Sequence, residues 1–445
     1  MLEALNTLLW GPGTLALILG TGAWLTLRTG GFPQRNLGRA LTLSLGREAR
    51  RKGRGGVSPF GSLMTALAST VGTGNIVGVA AALVSGGPGA LVWMELAAFL
   101  GLAAKFAECM LAVKYRHVRR DGTRWGGPMA VMETRLGSAG AVLGRFYALF
   151  ALLMAFAMGA MAQSGALADT FFAAFTLPRW RVGLVTAVLA LAILLGGIRR
   201  IAEISTVLVP VMALLYLGGG LAVILGNLRR LPEALILMLR CAVAPEAALG
   251  GALGIVTRRE ALRWGVARSV FSNEAGLGSA SITAACADTD EPVKQGLISM
   301  TGVFFDTMVI CTVTGLAICC SGTLGTADGA GRPLTGAALT LRAFETVLGP
   351  LAPWLIGVAL GLFAFTSVLG CAVQAETTAS YLLGPGAVRP CRVLYGLAVF
   401  AGAVIPMATV LQLADLANAL MAFPNLVCLL LLSDEIAGEC GRKER

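Results

Sequence analysis

Two short polar segments, Gly72-Thr73-Gly74-Asn75 and Ser272-Asn273-Glu274-Ala275-Gly276, interrupt otherwise apolar stretches, one in each half of a 445-residue chain. Each combines glycine-freed backbone with hydroxyl and amide side chains, and the second adds a carboxyl. A half-helix resuming after such a break presents free N–H groups and a positive dipole end, which suit a carboxylate. The carbonyl and hydroxyl oxygens left beside it are the ligands a hard cation prefers. At membrane depth each unpaired backbone group costs several kcal/mol, so a break survives there only where it lines a protein-enclosed cavity. Matching breaks in two halves point to the binding site of a secondary transporter.

The first break runs Ser69-Thr70-Val71-Gly72-Thr73-Gly74-Asn75. Glycine costs about 1 kcal/mol against alanine in a helix, and Ser, Thr and Asn offer the backbone competing local bonds, so unwinding is easy here. The other reading is a glycine-packed kink with its hydroxyls bonded back to carbonyls. In the second break Glu274 is an ionisable group deep in a span, a functional-site candidate by default. Pairing with Arg268 or Lys105, protonation, and a neighbouring cation are the states open to it, and a structural ion pair at a cytoplasmic gate is the alternative role. Gln163, in Ala162-Gln163-Ser164-Gly165, is a buried amide that must find partners on a substrate or on a neighbouring helix.

The elements that position these residues follow from composition. Hydrophobic residues make up 56% of the chain and charged residues only 13%, against a charged fraction near 25% in soluble domains, so this is a polytopic membrane protein. The first apolar segment has no basic n-region and no small-residue cleavage site, so it reads as a retained helix. The net charge of +11 sits in short segments between apolar spans and reads as a topology signal, not a nucleic-acid surface. Arg28, Arg35, Arg39, Arg47, Arg50, Arg51, Lys52 and Arg54 follow the first span, and Lys114, Arg116, Arg119, Arg120 and Arg124 follow the third. The positive-inside rule puts both loops and the C-terminus in the cytoplasm and the N-terminus outside. Arg179, Arg181, Arg229 and Arg230 fall on the other side and weaken the bias.

The ten cysteines are scattered without C-x-x-C spacing and read as buried free thiols. The single histidine, His117, has no partner histidine. The sequence carries no histidine-based nucleophile pair, paired-histidine metal motif or nucleotide loop, which argues against an enzyme.

On a ruler of about 20 apolar residues per span, the chain divides into about eleven, near 8–27, 60–84, 88–113, 141–174, 182–197, 204–226, 263–284, 297–320, 350–383, 391–408 and 411–433. The segment 231–256 holds Arg240, Pro245 and Glu246 and reads as an interfacial or re-entrant pair of short helices. Setting the first span aside leaves ten, with the breaks in the first and sixth. That placement implies two five-helix sets of opposite orientation, an inverted repeat with its site near the midplane. The expected division is 1–59 (N-terminal helix and basic loop), 60–226 (first repeat), 227–262 (connection), 263–434 (second repeat) and 435–445 (cytoplasmic tail). Small-xxx-small spacings such as Gly74 and Gly78 serve close helix packing.

Thr70-Val71-Gly72-Thr73-Gly74-Asn75-Ile76-Val77-Gly78-Val79-Ala80 and Phe271-Ser272-Asn273-Glu274-Ala275-Gly276-Leu277-Gly278-Ser279-Ala280 closely resemble the signatures of the alanine or glycine:cation symporter family, of the sodium:alanine symporter type. So do Gly86-Gly87-Pro88, Lys105 to Glu108, Gly126 to Met129, Phe305-Asp306-Thr307, Leu413 to Leu416 and Pro424-Asn425-Leu426, in order, over about residues 10–435. The resemblance implies an all-α, leucine-transporter-type five-plus-five fold with one extra N-terminal helix, in the cell membrane. It implies sodium-coupled uptake of a small neutral amino acid, with Na+ as coupling ion and no organic cofactor. Substrate then falls at Gly72, Thr73, Gly74, Asn75, Gln163, Ser272, Asn273, Gly276 and Cys371. Sodium falls at an oxygen cage from Thr70, Val71 and Gly74 of the first break with Thr366 and Ser367, and Glu274, Arg268, Lys105 and Glu376 serve gating and coupling.

Family members commonly read Gly-Trp-Ser-Tyr-Tyr-Gly-Glu where this chain has Gly370-Cys371-Ala372-Val373-Gln374-Ala375-Glu376. Positions 367, 371 and 374 share a helical face, so a roomier pocket with a polar contact from Gln374 is expected, and with it a somewhat larger neutral amino acid. Proton coupling through Glu274, Asp306 or Glu376, an ion channel, and a non-transporting amino-acid sensor are the competing functions.

Overall fold

The computed structural model describes residues 9–51, 57–119, 122–243, 246–248, 255–327, 329, 331–405 and 407–444. Helix starts follow local chemistry. Proline opens Pro12–Arg28, Pro59–Thr70, Pro128–Met154 and Pro292–Val303, where its missing N–H costs nothing. The Ser58 side chain accepts the Gly61 N–H at 3.0 Å, and Thr257 with Glu260 forms a reciprocal capping box.

In chain order the main helices are α1 (Pro12–Arg28), α2 (Leu37–Leu45), α3 (Pro59–Thr70), α4 (Val77–Gly86) and α5 (Gly89–Lys114). Next come α6 (Pro128–Met154), which runs through a π-helical stretch at Ala155–Ala162 into α7 (Gln163–Phe175), then α8 (Arg179–Leu194), α9 (Gly197–Gly226) and α10 (Leu231–Val243). The second half holds α11 (Arg258–Asn273) and α12 (Ser279–Ala285), then α13 (Pro292–Val303), which continues through a π-helical stretch at Phe304–Cys311 into α14 (Thr312–Ser321). It closes with α15 (Gly336–Leu348), α16 (Leu351–Leu383), α17 (Val388–Val404), α18 (Met407–Leu431) and α19 (Ser433–Glu444). Two antiparallel ribbons complete the description: β1 (His117–Val118) with β2 (Arg124–Trp125), and β3 (Glu246–Ala248) with β4 (Ile255–Thr257).

Among the described residues seven helices are long and apolar enough to cross a membrane, or eight when α3 and α4 count as one broken span. The difference from eleven lies in α1 and α8, only 17 and 16 residues long, and in the charged α11 with its short partner α12. The expected pair of short helices over 231–256 is instead one helix, α10, followed by the β3–β4 ribbon; residues 244–245 and 249–254 lie outside the described residues, as do residue 8, Lys52, Arg54 and Arg120. The Trp93 indole N–H donates to the Ala242 carbonyl at 3.1 Å and ties the end of α10 to α5.

Helices α5 and α16 form the centre. α5 packs on α11, α12 and α13, and α16 on α3, α7 and α9. Gly370 of α16 permits the closest approach: a Cβ there would stand 2.4 Å from the Ser69 backbone nitrogen. The broken pairs cross head to tail, α3 against α12 and α4 against α11, with the Ser62 hydroxyl donating to the Thr283 carbonyl at 2.9 Å. Outward faces of α8, α9 and α17 expose Leu184, Val188, Val207, Leu214, Leu394 and Leu397, the apolar surface lipid requires. At one end of the bundle Arg28 pairs with Asp434, and Lys114 with Glu435 (2.6 Å) and Glu439 (2.7 Å), so the ends of α1 and α5 and the start of α19 share a side.

Candidate functional site

Both polar interruptions are true breaks. α3 stops at Thr70, Val71 and Gly72 are extended (φ −73° and −137°), Thr73–Asn75 makes one 3-10 turn, and the chain bends by 62° into α4. Asn75 holds that turn: its Oδ1 accepts the Gly72 N–H at 2.9 Å. Its Nδ2 donates across to the second half, to Ser272 Oγ at 3.0 Å and Asp306 Oδ1 at 2.8 Å.

α11 stops at Asn273, and the chain passes through left-handed geometry at Glu274, Gly276 and Gly278 (φ 54°, 85° and 79°) before α12 begins. Glycine is required at 278, where a Cβ would lie 2.4 Å from Pro128 Cγ. Asn273 Oδ1 accepts the Ala275 N–H at 2.9 Å, while its Nδ2 donates to Thr307 Oγ1 at 3.0 Å. The freed backbone groups are answered from α5 and α18. Lys105 Nζ donates to the Glu274 carbonyl (3.1 Å), Gly278 N–H to Glu108 Oε2 (3.0 Å), and Asn425 Nδ2 to the Gly276 carbonyl (2.9 Å).

The structure brings together Gly72, Thr73, Gln163 and Ser367. A Cβ on Gly72 would stand 2.8 Å from Ser367 Oγ and 3.5 Å from the Gln163 amide; Thr73 Oγ1 is 3.4 Å from Gln163 Oε1, and Ser367 Oγ is 3.4 Å from the Val71 carbonyl. Gly74 lies against Phe271 of α11. Ser367 also donates to the Phe363 carbonyl at 2.9 Å, so Val71 O, Phe363 O and Ser367 Oγ form a cluster of oxygens.

Other expected residues stand elsewhere. Thr366 is about 100° around the helix from Ser367, so its hydroxyl meets Met212 Sδ (3.2 Å) and bonds back to Leu362 and Phe363. Thr70 bonds back to the Ala66 carbonyl at 3.3 Å. Arg268 does not reach Glu274: its guanidinium lies over Phe271 and Trp264, 5.3 and 5.6 Å from the ring centres. The left-handed turn at Glu274 points that carboxyl to the Ser279 hydroxyl instead. Lys105 pairs with Glu108 at 3.5 Å and touches only the backbone of Glu274. Glu376 is held by both ends of Arg392 (2.8 Å each) and lines a cavity of about 300 Å³ with Arg119, Arg124 and Ser380, apart from the breaks. Cys371 packs on Gly159, where a Cβ would meet its Sγ at 2.8 Å.

In the sequence Asp306 stood as one residue of a motif and as one of three candidates for proton coupling, and the structure gives it a larger part. It is fully buried in the π-helical stretch between α13 and α14 and accepts from Asn75, Ser272 (2.7 Å) and Thr307 (3.0 Å). Among the described residues no lysine or arginine forms an ion pair with it. Its hydrogen-bond partners are all neutral donors, an amide and two hydroxyls. The signal that could have found it is an unpaired acid inside an apolar span.

The fold and the sequence have counterparts. The chain resembles the crystal structure of MhsT in complex with L-phenylalanine with a TM-score of 0.60 at 14% identity, covering 85% of this chain and 90% of that one, a likeness of fold. An uncharacterized transporter of Haemophilus influenzae is 44% identical over 441 residues, 99% of this chain and 94% of the relative. The sodium/alanine symporter AgcS of Methanococcus maripaludis is 41% identical over 444 residues, 99% of this chain and 96% of that protein. The family model described as the sodium:alanine symporter family matches residues 1–441, and the chain, a membrane transporter and not an enzyme, belongs to that family.

Proposed function

We propose that this protein is a secondary active symporter that couples sodium entry to uptake of a small neutral amino acid by alternating access. The observation that carries the reading is that the two breaks meet and are joined by the Asn75, Ser272 and Asp306 hydrogen bonds. The substrate carboxylate binds the backbone amides of Thr73 and Gly74, since those of Gly72 and Asn75 are engaged within the turn, with Gln163, Asn273 and Gly276 completing its shell. Sodium binds at Val71, Phe363 and Ser367, or at Asp306 with Asn75, Ser272 and Thr307. Ligand and ion stabilise the same closed geometry, so each raises the affinity of the other.

With each broken or π-interrupted pair counted as one and with α10 and α15 set aside, the helices from α3 to α18 are ten, two inverted five-helix sets over 60–226 and 263–434; the head-to-tail crossing of α3 with α12 and of α4 with α11 supports this. Arg28, Lys114 and the start of α19 share the cytoplasmic side, and the N-terminus is outside, in keeping with the basic loops. The drive is adequate: about 2.3 kcal/mol per charge per 100 mV, plus about 1.4 kcal/mol for a tenfold gradient, sustains several-hundred-fold accumulation.

The test is uptake of radiolabelled alanine by purified protein in proteoliposomes, sodium against choline at constant pH, with Asn75→Ala and Glu274→Ala alongside. Saturable uptake in sodium alone, lost in Asn75→Ala, is expected. Uptake equal in choline and driven by a pH gradient instead selects the second reading, proton coupling, which the unpaired Asp306 carboxyl favours. Electrical current without saturable amino-acid flux overturns both.

A further inference from the structure

Gln374 of α16 is fully buried, and among the described residues neither its Oε1 nor its Nε2 has a hydrogen-bond partner. An amide carries two donors and two acceptor lone pairs, and buried polar groups are otherwise almost always paired. Helical side chains lean over the turn N-terminal to their own Cα, so this amide covers the level of Gly370 and Cys371. The helix presents almost nothing of its own there. Gly370 is pressed on the Ser69 backbone and Cys371 on Gly159. About one turn further toward the N-terminus, at about 1.5 Å per residue, Ser367 stands beside Gly72, with Gln163 next to it. Ser367, Cys371 and Gln374 share one face of α16, so the Gln374 amide lies on the side of the helix that Ser367 turns to Gly72.

We propose that Gln374 reads the substrate's side chain, and that the transported amino acid is neutral and ends in a hydroxyl or carboxamide. This rests on the amino-acid symport reading and narrows it. An anionic side chain would find no spare cation in Lys105, which is engaged by Glu108 and the Glu274 carbonyl. An apolar side chain of the same length would leave the amide unpaired, and loss of one neutral hydrogen bond is worth about tenfold in affinity.

The experiment is competition against sodium-driven alanine uptake in proteoliposomes, comparing serine with 2-aminobutyrate and glutamine with norleucine, pairs matched in length but not polarity. In the wild type the polar member of each pair is expected to compete about tenfold better, and Gln374→Met is expected to bring that ratio near one. Gln374→Asn, which keeps the amide but shortens it, should restore part of the ratio for glutamine and less for serine, and it carries the test if the methionine variant does not fold. Equal competition within each pair in the wild type overturns the proposal, as does a ratio that survives Gln374→Met. A higher melting temperature in Gln374→Met with an unchanged ratio marks the amide as structural and also overturns it. Absence of any sodium-dependent alanine uptake in the wild type overturns the symport reading itself, a distinct outcome.

Discussion

Replacing Asp306 by Asn removes one charge and keeps shape, so it isolates electrostatics at the junction of the breaks. The carboxylate accepts from Asn75 at 2.8 Å, Ser272 at 2.7 Å and Thr307 at 3.0 Å and is fully buried. Coulomb's law with an effective dielectric near 20 gives a cation about 4 Å away an attraction of about 4 kcal/mol, close to three orders of magnitude in affinity. The carboxamide oxygen returns part of that, so the half-saturating sodium concentration is expected to rise at least about thirtyfold. Asn75 and Ser272 remain hydrogen-bonding partners of the amide, so expression and melting temperature stay near wild type. The assay is initial-rate alanine uptake over a sodium series at constant ionic strength. A half-saturating concentration unchanged in Asp306→Asn refutes Asp306 as the cation seat and leaves the Val71, Phe363 and Ser367 oxygens to hold the ion. Uptake that becomes independent of pH while its sodium dependence persists assigns the carboxyl to protons instead.

Gly72→Ala is expected to cut uptake at least about tenfold without unfolding; its φ of −137° is open to any residue, but the new Cβ would meet Ser367 Oγ at 2.8 Å, and uptake kinetics measured beside a melting curve checks it. Lys105→Met strands the buried Glu108 carboxylate and is expected to cost about 3–5 kcal/mol, with Lys105→Met/Glu108→Gln recovering much of it in denaturant unfolding. Gly370→Ala drives a Cβ to 2.4 Å from the Ser69 nitrogen, and because backbone cannot yield as a side chain does, a loss of about 1–3 kcal/mol or more is expected from this overpacking, read as lost thermal stability in detergent.

The breaks at Gly72 to Asn75 and Asn273 to Gly276 were legible because glycine and small polar residues disfavour helix locally, wherever the chain is folded. Membrane placement was legible for a similar reason, since hydropathy sums over a window. Partnership was not. Glu274 was open to Arg268, Lys105, a proton or a cation, and only the left-handed turn at 274 decided that its carboxyl goes to Ser279 while Lys105 takes the carbonyl. Thr366 and Ser367 are equivalent as text; the angular step between neighbours on a helix sends one to Met212 and the other to Val71.

Residue types within a short window, or an ordered set of motifs, suffice to place this chain in a bilayer, to locate its two breaks and to assign its family. Only the packed fold settled that Asn75 joins the breaks through Ser272 and Asp306, that Gln374 has no hydrogen-bond partner among the described residues, and that a ribbon follows α10. Those outcomes depend on which helix faces meet across the bundle, and the geometry of packing, not local propensity, sets that.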